Sequence, residues 1–299
     1  MTTWSAMRLK VLKAWVVMAG LAILSGCSTL RVAYDTGPTL SWWWIDGYGD
    51  FSGEQAARVK DGIRSWFDWH RTTQLEGYAA WLAGPRAKIG ESVTPAQMCA
   101  WYDEARRLLD PAVDRGLLAA AAWVPGLTES QLRHLEQRYA KGNDEMRRDF
   151  LQPDPVKRHE AALRRTLDRV EMIYGRVDKQ QLQLIEDGIK ASPFSPERWL
   201  AERLRRQRDT VQTLRRLVAE KADGDRIVAA LRTLAERTER SPDPAYRDYQ
   251  QQLRSYNCGF AARLHAAMNA GQRQAARERI KDWEDDLRAL RAPVGSAAP

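Results

Sequence analysis

From Phe51 onward, apolar residues recur three and four positions apart, the period of helices that turn one face to a core. Leu200, Leu204, Val211, Leu214 and Val218 form one stripe, with Arg203, Arg206, Arg208 and Arg215 on other faces. Leu163, Leu167, Val170 and Ile173 or Tyr174 form a second, opened by Asp154-Pro155. Tyr249, Leu253, Tyr256, Phe260 and Leu264 form a third, opened by Asp243-Pro244. Alternating β-branched runs between hairpin turns, the mark of strands, are absent from the pattern.

The helix starts are written in one repeated pattern. Phe51-Ser52-Gly53-Glu54-Gln55, Val93-Thr94-Pro95-Ala96-Gln97 and Leu127-Thr128-Glu129-Ser130-Gln131 are the first three copies. Val177-Asp178-Lys179-Gln180-Gln181 and Met268-Asn269-Ala270-Gly271-Gln272 are the last two. Each sets an apolar residue before a capping side chain and a glutamine three positions after it. This is a capping box: the cap oxygen accepts from a first-turn N–H, and the glutamine accepts from the cap's own N–H. Ser195-Pro196-Glu197 is a looser start with proline at the first helical position. The spacing between copies is irregular, which excludes a solenoid of equal repeats. Stops are expected at Gly84-Pro85, Pro125-Gly126, Pro153, Gly175, Ser192-Pro193, Gly224 and Ser241-Pro242.

Together these signals predict an all-α fold, an antiparallel bundle of about eight helices with room for an elongated shape. One helical domain is expected over residues 51–292. Residues 27–50, rich in Gly, Pro and Trp, read as a tether, and 293–299 as a disordered tail.

The first 26 residues change the picture by placing the protein. Arg8, Lys10 and Lys13 precede an apolar stretch at 14–24, and Leu24-Ser25-Gly26-Cys27 closes it. A basic flank, a short apolar core and small residues before a cysteine describe a lipoprotein signal peptide, with Cys27 receiving the diacylglycerol. The alternatives are an ordinary secretory signal or a short membrane anchor; the apolar core is too short to span a bilayer unaided. Ser28 stands where an aspartate commonly retains lipoproteins in the inner membrane, so the expected location is the outer membrane, facing the periplasm. The leader holds three of the 47 basic residues and none of the 39 acidic ones, so its removal lowers the formal charge from +8 to +5. That modest charge, in that compartment, argues against a nucleic-acid partner.

Candidate chemistry is sparse. Cys99 and Cys258 remain in a compartment where disulfides persist; they are either bridged or two buried thiols. Trp42, Trp43, Trp44 and Tyr48 lie close enough to the lipid for indole rings to enter the headgroup zone. Packing over the open end of the bundle is the alternative. His70 and Arg71, with Glu76, make the densest polar cluster, either a proton-transfer site or a structural one. No second histidine is close, metal-ligand and nucleophile motifs are missing, and no metal or cofactor is expected. Asp282, Glu284, Asp285 and Asp286 read as solvated acidic residues.

Two resemblances follow from these residues. The cysteine motif, Tyr34, Trp44-Ile45-Asp46-Gly47-Tyr48-Gly49-Asp50-Phe51, Trp69-His70-Arg71 and Asp286-Leu287 resemble an uncharacterised family of proteobacterial lipoproteins, a domain of unknown function. That resemblance implies a helical envelope lipoprotein and no activity. Leu127-Thr128-Glu129-Ser130-Gln131 is similar to the L-T-x-x-Q motif of Spy-type periplasmic stress chaperones, which are shorter and not lipidated. The expected function is a non-enzymatic, lipid-anchored binding or scaffold protein for an envelope protein or polymer. A holdase-type chaperone and an envelope hydrolase using His70 and Glu76 are the alternatives.

Overall fold

The protein is described here by a computed structural model that covers residues 29–291. The signal segment, Cys27 and the tail from Pro293 lie outside the described residues. The helices are Thr29–Asp35 (α1), Gly37–Gly49 (α2), Gly53–Thr73 (α3), Leu75–Lys88 (α4) and Pro95–Leu108 (α5). Asp110–Ala121 (α6) leads through a single 3-10 turn at Val124–Gly126 to Glu129–Phe150 (α7), Pro155–Tyr174 (α8) and Lys179–Lys190 (α9). Pro196–Ala219 (α10), Gly224–Glu239 (α11), Pro244–Ala266 (α12) and Ala270–Leu290 (α13) complete the described chain. No strand occurs among the described residues.

Four expectations are corrected. Residues 29–49 are two helices rather than a tether, because α1 packs on α13 and α2 packs on α3 and α7. The segments outnumber the eight or so expected, partly because two long stretches each divide, at Gln74 and at Leu109. Pro111 accounts for the second break: it lacks an N–H and is tolerated only in a first turn, so α6 restarts there. Conversely, Gly84-Pro85 does not end α4, which buries Pro85 and continues to Lys88. Gly224 opens a helix rather than closing one, behind the Asp223 cap.

Four of the five boxes form as written, at Thr94, Thr128, Asp178 and Asn269. At Ser52 the side chain makes no capping bond, and the Gln55 side chain that would complete the box is engaged elsewhere. The glutamines work in pairs between helix starts. Gln181 Nε2 donates to Gln272 Oε1 at 2.7 Å and to the Ala267 carbonyl at 2.9 Å. Gln272 Nε2 returns both bonds, to Gln181 Oε1 at 2.8 Å and to the Arg176 carbonyl at 2.9 Å. The same figure joins α3 to α7. Gln131 Nε2 donates to Gln55 Oε1 at 2.9 Å and to the Asp50 carbonyl at 3.1 Å, while Gln55 Nε2 reaches the Gly126 carbonyl. In all four cases the carbonyl belongs to the residue two before the partner's cap. The Gln55 side chain is thus turned toward α7, and only its backbone N–H bonds Ser52, at the carbonyl.

Two apolar cores result. One gathers Ile89, Val170, Tyr174, Ile185, Leu264, Met268, Ala276 and Ile280 from α4, α8, α9, α12 and α13 and their ends. The other gathers Ala121, Val124, Leu132, Leu214, Leu217, Ala222, Ile227 and Leu231 from α6, α7, α10 and α11 and the turns beside them. The chain enters the second core at α6–α7, the first at α8–α9, the second again at α10–α11 and the first again at α12–α13. Neither core is built from one continuous stretch, and the described body is therefore one interleaved unit. Cys99 on α5 and Cys258 on α12 are bridged, with Cα atoms 5.4 Å apart.

Half of the acidic run on α13 is solvated as expected, at Asp282 and Asp285, and half is not. Glu284 is buried and meets Arg86 at 2.5 Å and Arg288 at 3.4 Å, and the buried Asp286 meets Arg31 of α1 at 3.2 Å. A carboxylate can enter a helix interface only when such partners replace its water.

Two outcomes check this packing. The disulfide closes a loop of 159 residues, so serine at both positions lowers unfolding free energy by on the order of 3–5 kcal/mol in the chain-entropy model. Urea titrations of the two forms read this, and a difference below about 1 kcal/mol would contradict it. At Gly188, where α9 meets α12, an added Cβ would enter the Phe260 ring. Gly188→Ala is expected to cost about 1–3 kcal/mol by overpacking, and an unchanged midpoint in the same titration would refute the close approach.

Candidate functional site

The chemistry-bearing residues singled out from sequence, His70, Arg71 and Glu76, do not converge on one point. His70, near the end of α3, is buried with its ring stacked 4.5 Å from that of Trp66. Its Nδ1 lies 2.9 Å from the Tyr34 hydroxyl and its Nε2 3.3 Å from the Tyr78 hydroxyl. A neutral imidazole suits this sandwich, since one ring nitrogen donates to a tyrosine and the other accepts from one. Burial pushes the His70 pKa down from 6.5 to about 4. Burial also pushes the Tyr34 hydroxyl up to about 12, against the opposing field of Arg71.

Arg71 extends the cluster into a clamp. Its guanidinium donates to the Leu290 carbonyl at 2.9 Å and to the Asp35 carboxylate at 2.8 Å, and lies 5.0 Å from the centre of the Tyr34 ring. One side chain of α3 therefore holds α1 and the last turn of α13, whose free carbonyls are natural acceptors for a cation. Glu76 faces Arg291 at 2.6 Å and Arg288 at 3.8 Å. No hydrogen bond or ion pair joins it to His70, so the two do not form the proton-transfer pair that the hydrolase alternative requires. Among the described residues, no group of three His, Cys, Asp or Glu side chains is placed to hold a metal ion.

A long concavity lies elsewhere, around α10. Two hollows, about 1050 and 430 Å³, meet at Trp199 and Arg206. The first is walled by α5, α10, the end of α11 and α12, and includes Cys258 of the disulfide. The second is walled by α2, α7 and α10, with Trp44, Tyr48 and Tyr139 on its sides. Trp199, Arg203, Arg206 and Gln207 fall on one face of α10 at helical spacing, which places all four in this wall.

Charge and rings dominate the lining. Arg106, Arg203, Arg206, Arg240, Arg247 and Arg254 face the groove against a single carboxylate, Glu239, which Arg106 engages. Several of these cations are held by groups behind them. Arg206 meets the buried Glu202 at 2.9 Å, and Arg203 meets Asn143 Oδ1 at 2.8 Å. Burial opposes ionisation of Glu202, but hydrogen bonds from Arg205 and Arg206 outweigh it and keep its pKa below the ordinary value. Arg247 donates to the Ser241 carbonyl at 2.8 Å, and Arg254 pairs with Asp103 while lying 5.9 Å from the Tyr102 ring. Arg240 is exposed; its backbone N–H bonds the Glu236 carbonyl, but its guanidinium has no hydrogen-bond or ion-pair partner among the described residues. Tyr249 anchors the mouth of α10: its hydroxyl accepts from the Ser195 N–H at 2.9 Å, and Ser195 caps that helix.

The sequence reading noted arginines on α10 but missed this groove, because its other wall comes from residues some fifty positions away and from α5 across the disulfide. The available signal was aromatic residues interleaved with arginines at helical spacing, in Trp199 to Arg206 and again in Tyr246 to Arg254.

The buried histidines give a measurable consequence. His70, and His265 likewise through burial, hold pKa values below the ordinary 6.5. The unfolded chain therefore binds more protons than the folded one just below pH 6.5, and stability falls as pH drops toward 4. Thermal melts between pH 7 and 5 should show this decline, with a shallower slope in His70→Phe. An identical slope in that variant would exclude His70 as a source.

No curated protein and no solved structure matches the chain. One family model does, over residues 47–247, a span that takes in His70, α10 and Arg240 and stops before Cys258 and α13. The chain belongs to the family of unknown function DUF6279.

Proposed function

We propose that this protein is a non-enzymatic, lipid-anchored protein of the bacterial outer membrane, facing the periplasm, that binds an envelope protein or polymer through the groove around α10. The groove carries this reading: six arginines and one carboxylate in a long, aromatic-sided concavity form a recognition surface for an anionic partner. Guanidinium groups pre-set by Glu202, Asn143 and Asp103 lose little freedom on binding, and pair with carboxylate or phosphate through two parallel bonds. Tyrosine and tryptophan add contact area at low entropic cost.

The anchor rests on the leader and Cys27, which fit lipoprotein maturation. No helix among the described residues is long and apolar enough to cross a membrane, so an anchor of this kind is what would hold the helical body at the surface. The lining also bears on the chaperone alternative, since a holdase surface calls for a broad apolar concavity, whereas guanidinium groups crowd this one.

Photo-crosslinking in living cells tests the reading. A photo-reactive side chain at Tyr102 on the groove, with Met172 on α8 as the control position, is expected to capture one discrete envelope component from the groove alone. Arg240→Glu in the same background should reduce that adduct several-fold by placing a like charge against the partner. Equal capture at both positions, or a broad spread of unfolded clients, would overturn the proposal.

A further inference from the structure

The short helix α2 has an exposed apolar face, on which Trp44 leans on Tyr48 of the same helix with ring centres 5.0 Å apart. Its fully described side chains include none that is buried, and Leu40, Trp43 and Trp44 are 51, 65 and 66 % exposed. Positions 40, 43 and 44 are one helical turn apart, so the three side chains share a face. The neighbouring residues of the aromatic run behave differently. Trp42 is half-buried under the Lys60 ammonium, 4.4 Å from its ring centre, and Tyr48 packs against Tyr139 and Arg138. The helix is thus fixed to α3 and α7 by one side and presents two indoles and a leucine on the other. Val32, on the preceding helix α1, is also exposed.

We infer that this face of α2 lies in the headgroup zone of the membrane and sets the orientation of the body on it. The position of the chain end supplies the occupant. The apolar segment at residues 14–24 ends four residues before the described chain begins. With Cys27 lipidated, or with that segment retained as an anchor, the start of α1 is held at a membrane surface. From Thr29, two short helices at about 1.5 Å per residue put Trp43 on the order of 20 Å or less from that point along the chain. The helices are not free to swing away, because α1 is held to α13 by Arg31–Asp286 and to α3 by Tyr34 and Arg71. Indole rings partition to the headgroup region, where the ring is shielded and the N–H remains hydrated.

This placement deepens the anchored reading and has a consequence for the groove. Trp44 belongs to both surfaces: it sits on the exposed face of α2 and on the rim of the smaller hollow. The rim of the hollow at Trp44 therefore adjoins the face turned to the membrane.

The test uses the full chain expressed with its native leader, labelled with 5-fluorotryptophan and purified from membranes into lipid nanodiscs. Trp43→Phe and Trp44→Phe assign the two fluorine resonances and, at highly exposed sites, leave the fold intact. Adding lipids that carry a nitroxide near the headgroup should abolish both signals while sparing that of Trp123. Protein seated in the discs with unbroadened Trp43 and Trp44 resonances would overturn the inference and leave the anchor standing. Protein that does not remain with the discs would overturn both.

Discussion

Four glutamines at helix starts decide how the helices of this protein meet. A capping-box glutamine satisfies one orphan N–H with its carbonyl oxygen, which leaves its amide hydrogens unspent. Here those hydrogens cross to a second helix start, where an equivalent glutamine accepts one and a backbone carbonyl accepts the other. Gln131, Gln181 and Gln272 are all buried, so each lost partner would leave a polar group with neither protein nor water to bond. Satisfaction is available in one relative placement of the two helices. The pair at Gln181 and Gln272 binds α9 to α13, and the pair at Gln55 and Gln131 binds α3 to α7. A polar constraint therefore sets the register, and the apolar cores fill in around it.

The interleaved path of the chain follows. Each core is closed only when distant stretches have returned, and the links between them are concentrated in a few groups: the disulfide between α5 and α12, the Arg71 clamp and the Arg86–Glu284 pair. The groove lies where α10 and α11 of one core pass α12 of the other. Its lining is cationic because α5, α10, the end of α11 and α12 each turn arginines to it. Buried Glu202 and Asn143 hold the two from α10 from behind.

The His70 cluster shows why local composition misleads about chemistry. A histidine among aromatics, near a carboxylate in sequence, has the ingredients of a proton-transfer site. In the fold, the histidine points into the junction of α1, α3 and α4, while Glu76 points along α4 toward the end of α13. Burial then lowers the affinity of His70 for protons. The cluster joins helices, and its tyrosines supply the hydrogen bonds that make a buried imidazole tolerable.

Sequence alone determined the helical class, most helix starts and the main apolar stripes, because these depend on interactions within four residues of each other. Four boxes form where their residues are written, and Val211, Leu214, Tyr249 and Leu264 turn inward as the period requires. It could not reveal that residues 29–49 are helical, since Gly, Pro and Trp are poor helix formers and packing on α3 and α7 stabilises them. Nor could it foresee Glu284 buried, because the compensating Arg86 comes from nearly two hundred residues away. Gln55 is the sharpest case: its local pattern promises a cap, and tertiary contact turns it to Gly126. Which arginines share a groove, and which tryptophans remain outside, was decided only by tertiary structure, because both depend on surfaces brought together by distant parts of the chain.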